Sequence, residues 1–187
     1  MRKTLLGSVF LYPNRSIGMN NIILVGFMGT GKTTVGKQLA AQLGLPLLDM
    51  DHLIESAEEK SIPQIFADHG EAYFRDLERA LVKQLAPTNG NIISTGGGIV
   101  LNPDNLVDFA QHGLVVCLTA SPQTILQRVR DDQNRPLLAG EKEKQIQTLL
   151  TQRQSLYDTI PFQIKTDDLS PQEIVDSILS EYHQQFG

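Results

Sequence analysis

The chain has 187 residues, of which 41% are apolar and 20% are charged, and its 16 basic and 21 acidic side chains give a net charge of -5. This composition is typical of one globular domain and excludes an intrinsically disordered chain, and the acidic balance argues against a general nucleic-acid binder. A single cysteine excludes a disulfide framework and a multi-cysteine metal site, and no apolar run approaches the roughly 20 residues that span a bilayer.

Residues 1–18 carry three basic and no acidic side chains. Their apolar stretch is short, is interrupted by Gly7 and Ser8, and lacks a small-residue cleavage site, so it does not fit a signal peptide. We expect either that Met19 is the natural start or that residues 1–18 form a disordered extension. A single domain is then expected over residues 19–187.

From Asn21 onwards, short apolar segments rich in β-branched residues alternate with segments of helical periodicity. Strands are predicted at residues 21–25, 45–49, 91–95, 114–119 and 162–165. Helices are predicted over residues 32–43, 71–86 and 141–157, near Asp51 and Ser61, and after the pairs Asn102-Pro103, Ser121-Pro122 and Ser170-Pro171. This alternation predicts an α/β fold in which helices cover both faces of a parallel sheet.

The eight residues after the first predicted strand, GFMGTGKT, match the phosphate-loop pattern G-x-x-x-x-G-K-[ST] without gaps. The glycines let the backbone N–H groups turn towards phosphate oxygens, and the following helix N-terminus adds partial positive charge. Lys32 is expected to reach the β- and γ-phosphates and Thr33 to bind Mg²⁺. The residues predicted to hold a nucleoside triphosphate here are Gly29, Thr30, Gly31, Lys32, Thr33 and Thr34. The alternative is a glycine-rich connector with an exposed lysine.

Asp49 and Asp51 form a D-x-D pair at the end of the second predicted strand. Ligands of open parallel sheets bind at this edge, and alternate residues at a strand end point the same way. One carboxylate would support Mg²⁺, and the other would accept a hydroxyl proton from an acceptor substrate. An equally good interpretation makes Asp51 a helix N-cap and Asp49 a solvated turn residue.

Two arginines fall on predicted helices where a partner is required. Arg153 lies on the apolar stripe of the helix at 141–157, so it needs a bound carboxylate or phosphate, a structural salt bridge, or a solvent-exposed head on a buried stem. Arg75 lies three residues before Glu78, so the two could simply pair, or Arg75 could hold an anionic ligand while Glu78 orients it.

Two further segments suggest ligand contacts. Arg135 lies in the mixed segment 131–140, which suits a lid over phosphates, although an exposed loop arginine would look the same. Residues 96–98 are three consecutive glycines after the third predicted strand, and they allow a close approach of backbone to a ligand. The alternative for them is a flexible turn.

In this order and spacing, the segments GFMGTGKTTVGKQLA, LLDMD, FRDLE, STGGG and NRPLLAG and the Arg153-x-x-x-Tyr157 helix resemble the shikimate kinase family over about residues 20–180. The resemblance implies a nucleoside-monophosphate-kinase-like α/β/α fold with a five-stranded parallel sheet in the order 2-3-1-4-5. It also implies a substrate-binding subdomain at about 50–80 and a lid at about 131–140. The implied activity is ATP- and Mg²⁺-dependent phosphorylation of the 3-hydroxyl of shikimate, in the chorismate route to aromatic amino acids.

The resemblance also implies roles for individual residues. Those that would hold shikimate are Asp51, Arg75, Gly97, Gly98 and Arg153. Asp51 would contact the reacting hydroxyl, whereas Arg75 and Arg153 would grip the carboxylate. Phe66 and Phe74 would line the substrate pocket.

On the nucleotide side, the resemblance implies that Thr33 binds Mg²⁺ with support from Asp49. Lys32 and Arg135 would stabilise charge on the leaving phosphate, Arg128 would lie over the adenine, and residues 166–168 would border it. We expect a cytoplasmic monomer with ATP and shikimate as its partners and without a nucleic-acid or membrane partner.

Two other functions remain open at this point. One is a different small-molecule P-loop kinase, such as a gluconate or nucleotide kinase. The other is a non-catalytic, ATP-binding regulatory module. Such a module would be expected to have lost Asp51, Arg75 or Arg153, and all three are present.

Overall fold

A computed structural model describes residues 19–129 and 142–187 of the chain. The predicted extension at 1–18, the predicted lid at 131–140 and Arg135 lie outside the described residues. Within the described residues, the strands are β1 (Asn21–Val25), β2 (Leu47–Asp49), β3 (Ile92–Ser94), β4 (Gly113–Thr119) and β5 (Gln163–Lys165). They form one parallel sheet in the order β2-β3-β1-β4-β5, which confirms the predicted fold class and strand order.

The helices in the described part of the chain are α1 (Lys32–Leu43), α2 (Met50–Glu58), α3 (Ile62–Leu85), α4 (Pro103–Ala110), α5 (Pro122–Val129), α6 (Lys142–Tyr157) and α7 (Pro171–Phe186). Asn102 and Ser170 cap α4 and α7 as predicted, because their side chains accept hydrogen bonds from the N–H groups of Asp104 and Glu173. A 3-10 turn at Ile99–Leu101, which no sequence pattern predicts, precedes α4.

Two apolar cores lie on opposite faces of the sheet. Side chains of β1 alternate between them because successive residues of a strand point to opposite faces. Ile22 and Leu24 pack with residues of α1 and α7, whereas Ile23 and Val25 pack with residues of α2 to α6. All four side chains are fully buried, as expected for a central parallel strand with helices on both sides.

Strand β2 begins at Leu47 rather than at the predicted residue 45, because the preceding residues end α1 instead. Gly44 stops the helix with a φ of 66°, and the N–H of Leu45 donates to the carbonyl of Ala40. Pro46 has no N–H to donate, so the segment joins the sheet only from Leu47.

Helix α3 joins two segments that the sequence separates, one near Ser61 and one at 71–86. Ser61 forms a capping box with Gln64 at the start of the helix. Gly70 interrupts the helix with φ 80° and ψ 173°, a conformation that is essentially restricted to glycine. The predicted boundary therefore corresponds to a sharp break between two consecutive helical segments.

The carboxyl ends of the parallel strands meet at one edge of the sheet, where the loops that follow β1, β2, β3 and β5 come together. In residues 19–129 and 142–187, no helix is both long enough and apolar enough to cross a bilayer.

Candidate active site

A cavity of about 480 Å³ opens at this edge of the sheet. The predicted site residues in its wall are Gly29, Thr30, Gly31, Lys32, Thr33, Thr34, Asp49, Asp51, Gly97 and Arg128. The structure thus brings the phosphate loop, the D-x-D pair and the middle glycine of the GGG segment into one pocket. Its size is typical of small-molecule sites.

The backbone of the phosphate loop forms a tight curl. Gly29 and Gly31 have φ angles of 74° and 100°, in the left-handed region that favours glycine. The Thr30 hydroxyl closes the curl by donating to the carbonyl of Phe27 at 2.8 Å. Gly31 is the N-cap of α1, and no side chain caps the helix there. The N-terminus of α1 therefore opens at the cavity with a glycine as its cap, and a helix N-terminus of this kind is suited to binding anions.

Lys32 lies against the loop that it follows. Its Nζ donates to the carbonyls of Gly26 at 2.8 Å and Phe27 at 2.9 Å, while the half-buried side chain contributes to the cavity wall. A Cβ at Gly26 would collide with the backbone carbonyl of Leu118 on β4, so glycine is required where the loop packs on this strand. The ammonium group is thus held at the wall beside the phosphate loop, where a phosphate would lie.

Asp49, and not Asp51, caps helix α2. Its Oδ1 accepts hydrogen bonds from the N–H groups of Asp51 at 3.2 Å and His52 at 3.4 Å, while its Oδ2 accepts one from the Thr33 hydroxyl at 3.4 Å. The interpretation of Asp51 as the cap and Asp49 as a solvated turn residue is therefore wrong. The cap leaves Thr33 and Asp49 with adjacent hard oxygen atoms at the cavity, and hydroxyl and carboxylate oxygens are ligands that suit Mg²⁺.

Protein side chains occupy the space beside Gly96 and Gly98. A Cβ at Gly96 would lie 2.7 Å from both Asp51 Oδ1 and Glu78 Oε1, and one at Gly98 would collide with the guanidinium of Arg75. Only the middle residue of the GGG segment is part of the cavity wall. The outer two glycines therefore leave room for side chains of the site itself, and the contact of Gly97 and Gly98 with a ligand stays a prediction.

Arg75 is held by two carboxylates of its own helix. Its Nη1 lies 2.5 Å from Glu78 Oε2, and its Nη2 lies 2.7 Å from Glu71 Oε1. Glu78 is only 1% exposed, and in the described part of the chain its Oε1 has no hydrogen-bond partner. Burial raises the pKa of Glu78 to about 7; the charge of Asp51 adds to the shift, and the charges of Arg75 and Arg153 oppose it.

Arg153 is only 5% exposed, although it carries a full charge. Its Nη1 donates to the carbonyl of Gly97 at 3.4 Å, and the hydroxyl of Tyr157 donates to the same carbonyl at 2.6 Å. Among residues 19–129 and 142–187, no carboxylate lies within salt-bridge distance of its guanidinium, so the alternative of a structural salt bridge is not found there. Arg153 does not line the cavity, but Gly97, whose carbonyl it contacts, does. Its buried guanidinium is therefore well suited to an anionic ligand.

Arg128 lies at the end of α5 and joins two loops of the cavity. Its Nη1 donates to the carbonyl of Gly29 at 3.2 Å and to Oγ1 of Thr166 at 2.9 Å, and its Nη2 donates to the Thr166 carbonyl at 2.8 Å. Thr166 also bonds the Thr30 carbonyl through its hydroxyl. The phosphate loop, α5 and the loop after β5 are thus tied together at the mouth of the pocket.

Two residues predicted for the substrate pocket lie outside the cavity wall, and three residues that were not predicted lie in it. Phe66 and Phe74 pack together with ring centroids 5.1 Å apart, but they do not contribute to the 480 Å³ cavity, and their role in a substrate pocket stays a prediction. The wall also includes Leu169, Pro171 and Ile174, which sequence reasoning missed. Their only signal was the Ser-Pro pair that starts α7, and that pair predicts a helix, not a binding surface.

Comparison with known proteins shows that the similarity is not limited to the site but covers most of the chain. A gluconokinase from Sinorhizobium meliloti has a TM-score of 0.60 at 14% identity, covering 90% of this chain and 94% of that one, which shows a shared fold alone. The shikimate kinase from Acinetobacter baumannii, solved in complex with shikimate, has a TM-score of 0.85 at 36% identity and covers 92% of this chain and 98% of that one.

A family model described as shikimate kinase matches residues 28–183. The shikimate kinases of Thermodesulfovibrio yellowstonii and Caldanaerobacter subterraneus are each 42% identical to the chain, over 89% and 88% of its length and 96% of theirs. The chain therefore belongs to the shikimate kinase family.

Proposed function

We propose that this chain transfers the γ-phosphoryl group of ATP to the 3-hydroxyl of shikimate, giving shikimate 3-phosphate and ADP, in the chorismate route to aromatic amino acids. The observation that carries the proposal is that the predicted phosphate site and the buried Arg153 adjoin at Gly97. Gly97 is part of the cavity wall that holds the phosphate loop, and its carbonyl accepts the hydrogen bonds of buried Arg153 and Tyr157. A phosphate site and an anion site thus meet at one residue, as a phosphoryl transfer to a carboxylated acceptor requires.

The nucleotide is proposed to bind along the phosphate loop. The uncapped start of α1 and the ammonium of Lys32 supply positive charge for the β- and γ-phosphates. Arg128 is proposed to lie over the adenine, because its guanidinium contributes to the cavity wall and is held there by Thr166. A flat guanidinium stacks well on an aromatic base.

Thr33 and Asp49 are proposed to hold Mg²⁺. Their Oγ1 and Oδ2 atoms lie 3.4 Å apart at the cavity wall. In the described residues no group of three or more His, Cys, Asp or Glu side chains could hold a metal, so the other ligands would come from phosphates and water, as is usual for this ion. A bound Mg²⁺ supplies charge neutralisation on the transferred phosphoryl group.

Shikimate carries one carboxylate and several hydroxyls, and the second site offers matching groups. Arg75 and Arg153 are proposed to bind the carboxylate, because guanidinium groups pair with carboxylates in a bidentate geometry. Asp51 is proposed to contact the reacting hydroxyl from the cavity wall, and Gly97 and Gly98 to add backbone contacts.

The transfer itself needs positioning and charge stabilisation more than covalent chemistry. Asp51 orients the hydroxyl and accepts its proton as the oxygen bonds to the γ-phosphorus, while the bond between that phosphorus and the bridging oxygen breaks and ADP leaves. Lys32 and Arg135 stabilise the charge that shifts onto the leaving phosphate. Closure of a lid at 131–140 over a substrate-binding subdomain at about 50–80 is proposed to exclude water from the reaction.

The proposal includes a cytoplasmic monomer, with residues 1–18 as an extension outside the kinase domain. All proposed contacts come from one chain, so a single copy suffices to form the site. ATP and Mg²⁺ are both available in the cytoplasm.

An ADP-release assay with ATP, Mg²⁺ and separate acceptors (shikimate, quinate, gluconate and AMP) tests the proposal. We expect ADP release with shikimate and none above background with the other three. Release with gluconate or AMP instead would overturn the roles of Asp51, Arg75 and Arg153. ATP binding without turnover of any acceptor would favour a regulatory module.

A further inference from the structure

The loop between β5 and α7 contacts helix α5 at both of its ends. At the end of the helix, Thr166 accepts two hydrogen bonds from the Arg128 guanidinium, at 2.9 and 2.8 Å. At the start of the helix, Oδ1 of Asp167 accepts one hydrogen bond from the Ser121 N–H at 2.9 Å and another from the Thr124 hydroxyl at 2.8 Å. Thr166 and Asp167, which are consecutive in the loop, therefore hold the two ends of helix α5 against it.

The contact of Asp167 is made by a charged group. Burial alone would raise the pKa of Asp167, but hydrogen bonds from Ser121 and Thr124, together with the charge of Lys165, lower it to about 2. The carboxylate is therefore ionised at neutral pH, and it lies at a helix N-terminus, where negative charge is favoured. Ser121 itself caps α5, because its Oγ accepts the Thr124 N–H at 3.2 Å.

The two elements that Asp167 joins both contribute to the cavity wall. Helix α5 supplies Arg128, and the β5–α7 loop and the start of α7 supply Leu169 and Pro171. Without Asp167, the hydrogen bonds of Arg128 and the apolar packing of α5 are left to hold the helix against this loop. A ligand that binds between them would then have to order the guanidinium as it binds, and such ordering weakens affinity.

We propose that Asp167 is a positioning residue for the nucleotide, which keeps Arg128 in its binding geometry by holding the start of α5 on the β5–α7 loop. The inference rests on the proposed function in one respect, that ATP binds in this cavity. Asp167 itself does not contribute to the cavity wall, so its effect must pass through the helix.

The test compares D167A with D167N and with D104A, all in the full chain. Alanine removes the acceptor, whereas asparagine keeps an acceptor oxygen for Ser121 and Thr124. Asp104 is an exposed carboxylate in the first turn of α4, outside the cavity wall, and serves as the matched control. The measurements are the Kd of MgADP by calorimetry, the KM values of ATP and shikimate, and kcat.

We expect D167A to raise the Kd of MgADP and the KM of ATP about tenfold, the scale of one charge-assisted hydrogen bond. The KM of shikimate should stay within about twofold. D167N should stay within about threefold of wild type for both nucleotide constants, and D104A should match wild type. In an R128A background, the effect of D167A should fall below about twofold, because the two residues act as one unit.

An unchanged Kd of MgADP in D167A overturns the inference, as does an equal rise in both KM values. If D167A does not fold, T124V removes one of the two hydrogen bonds at the same oxygen and should raise the Kd of MgADP about threefold without changing the KM of shikimate. An unchanged Kd in T124V would then overturn it. Failure of the proposed function would look different, because wild type would bind MgADP without phosphorylating shikimate.

Discussion

Glu78 is the residue whose ionisation most directly affects the proposed substrate site. It holds Arg75 with Oε2, and its Oε1 lies on the same side of Gly96 as Oδ1 of Asp51, each 2.7 Å from where a Cβ would lie. With a pKa of about 7, it changes charge within the pH range in which the protein is assayed. Protonation removes the charge that orients Arg75, so the grip of this arginine on a carboxylate should weaken.

We predict that the KM of shikimate rises as pH falls from 8 to 6, by about tenfold for the loss of one charge-assisted contact. E78Q should have a raised KM already at pH 8 and no further change down to pH 6, because the amide does not titrate in this range. Steady-state kinetics across this range measure both profiles. D76N, which removes an exposed carboxylate from the same helix, should keep the wild-type profile.

The same pKa shift has a consequence for stability, with a defined sign. Glu78 shifts from 4.5 to about 7 on folding, so the folded protein holds this proton more tightly than the unfolded chain. Its contribution to the free energy of unfolding is therefore largest below pH 4.5 and is lost as the pH rises to about 7. Urea unfolding of wild type and E78Q at pH 5 and 7 measures this difference. For the kinetic prediction, the contradicting outcome is a KM of shikimate in E78Q that changes with pH as it does in wild type. The pH dependence of shikimate binding would then belong to a group other than Glu78.

At the scale of elements, helix α3 shows how a backbone break orients a site. Gly70 separates the half that begins at Ile62 from the half that carries Arg75 and Glu78. A Cβ at Gly70 would meet no atom within 4 Å, so only the φ of 80° with ψ of 173° opposes substitution. Tertiary contacts on both sides of the break prevent the helix from straightening.

G70A should therefore lower the free energy of unfolding by about 1–3 kcal/mol through backbone strain alone. G44A is the matched control, because a Cβ at Gly44 also meets open space but its φ of 66° and ψ of 25° lie in the left-handed helical region, where alanine costs about 1 kcal/mol. Urea unfolding at one pH measures both. A stability of G70A equal to or above wild type would mean that α3 can become continuous.

Most elements follow from local sequence, and the exceptions have physical reasons. β-branched runs predict the strands, and Asn-Pro and Ser-Pro pairs predict the helix starts, because each pattern acts within a few residues. Asp49 and Asp51 are equally good caps by type, and only the contact of Asp49 with Thr33 and the packing of Asp51 against Gly96 decide between them. Such contacts cross between elements that are far apart in the chain.

At the scale of the whole molecule, the two halves of the site differ in how far the sequence predicts them. The phosphate loop is contiguous, so its pattern predicts both its geometry and its ligand. The second half unites Arg75 of α3, Arg153 of α6 and Gly97 after β3, and residue types alone left each of them with a structural alternative. Asp167 gave no signal at all, because its partners Ser121 and Thr124 lie more than 40 residues away in the chain.

If these halves bind separate ligands, each ligand should stabilise the whole fold on its own. A ligand that binds only the folded state adds about 2.7 kcal/mol to the free energy of unfolding at a concentration of 100 Kd. The test fixes each ligand at about 100 times its wild-type Kd. We predict that K32A loses most of the stabilisation by MgATP and keeps the stabilisation by shikimate. R153A should lose most of the stabilisation by shikimate and keep the stabilisation by MgATP. R79A, which breaks the Arg79–Asp108 pair outside the site, should keep both increments. Urea unfolding with each ligand alone measures the six values as differences from the ligand-free variant, so the intrinsic stability of each variant cancels. Equal loss of both increments in R153A would contradict a carboxylate role for this buried arginine and would make it a structural support of the common wall at Gly97.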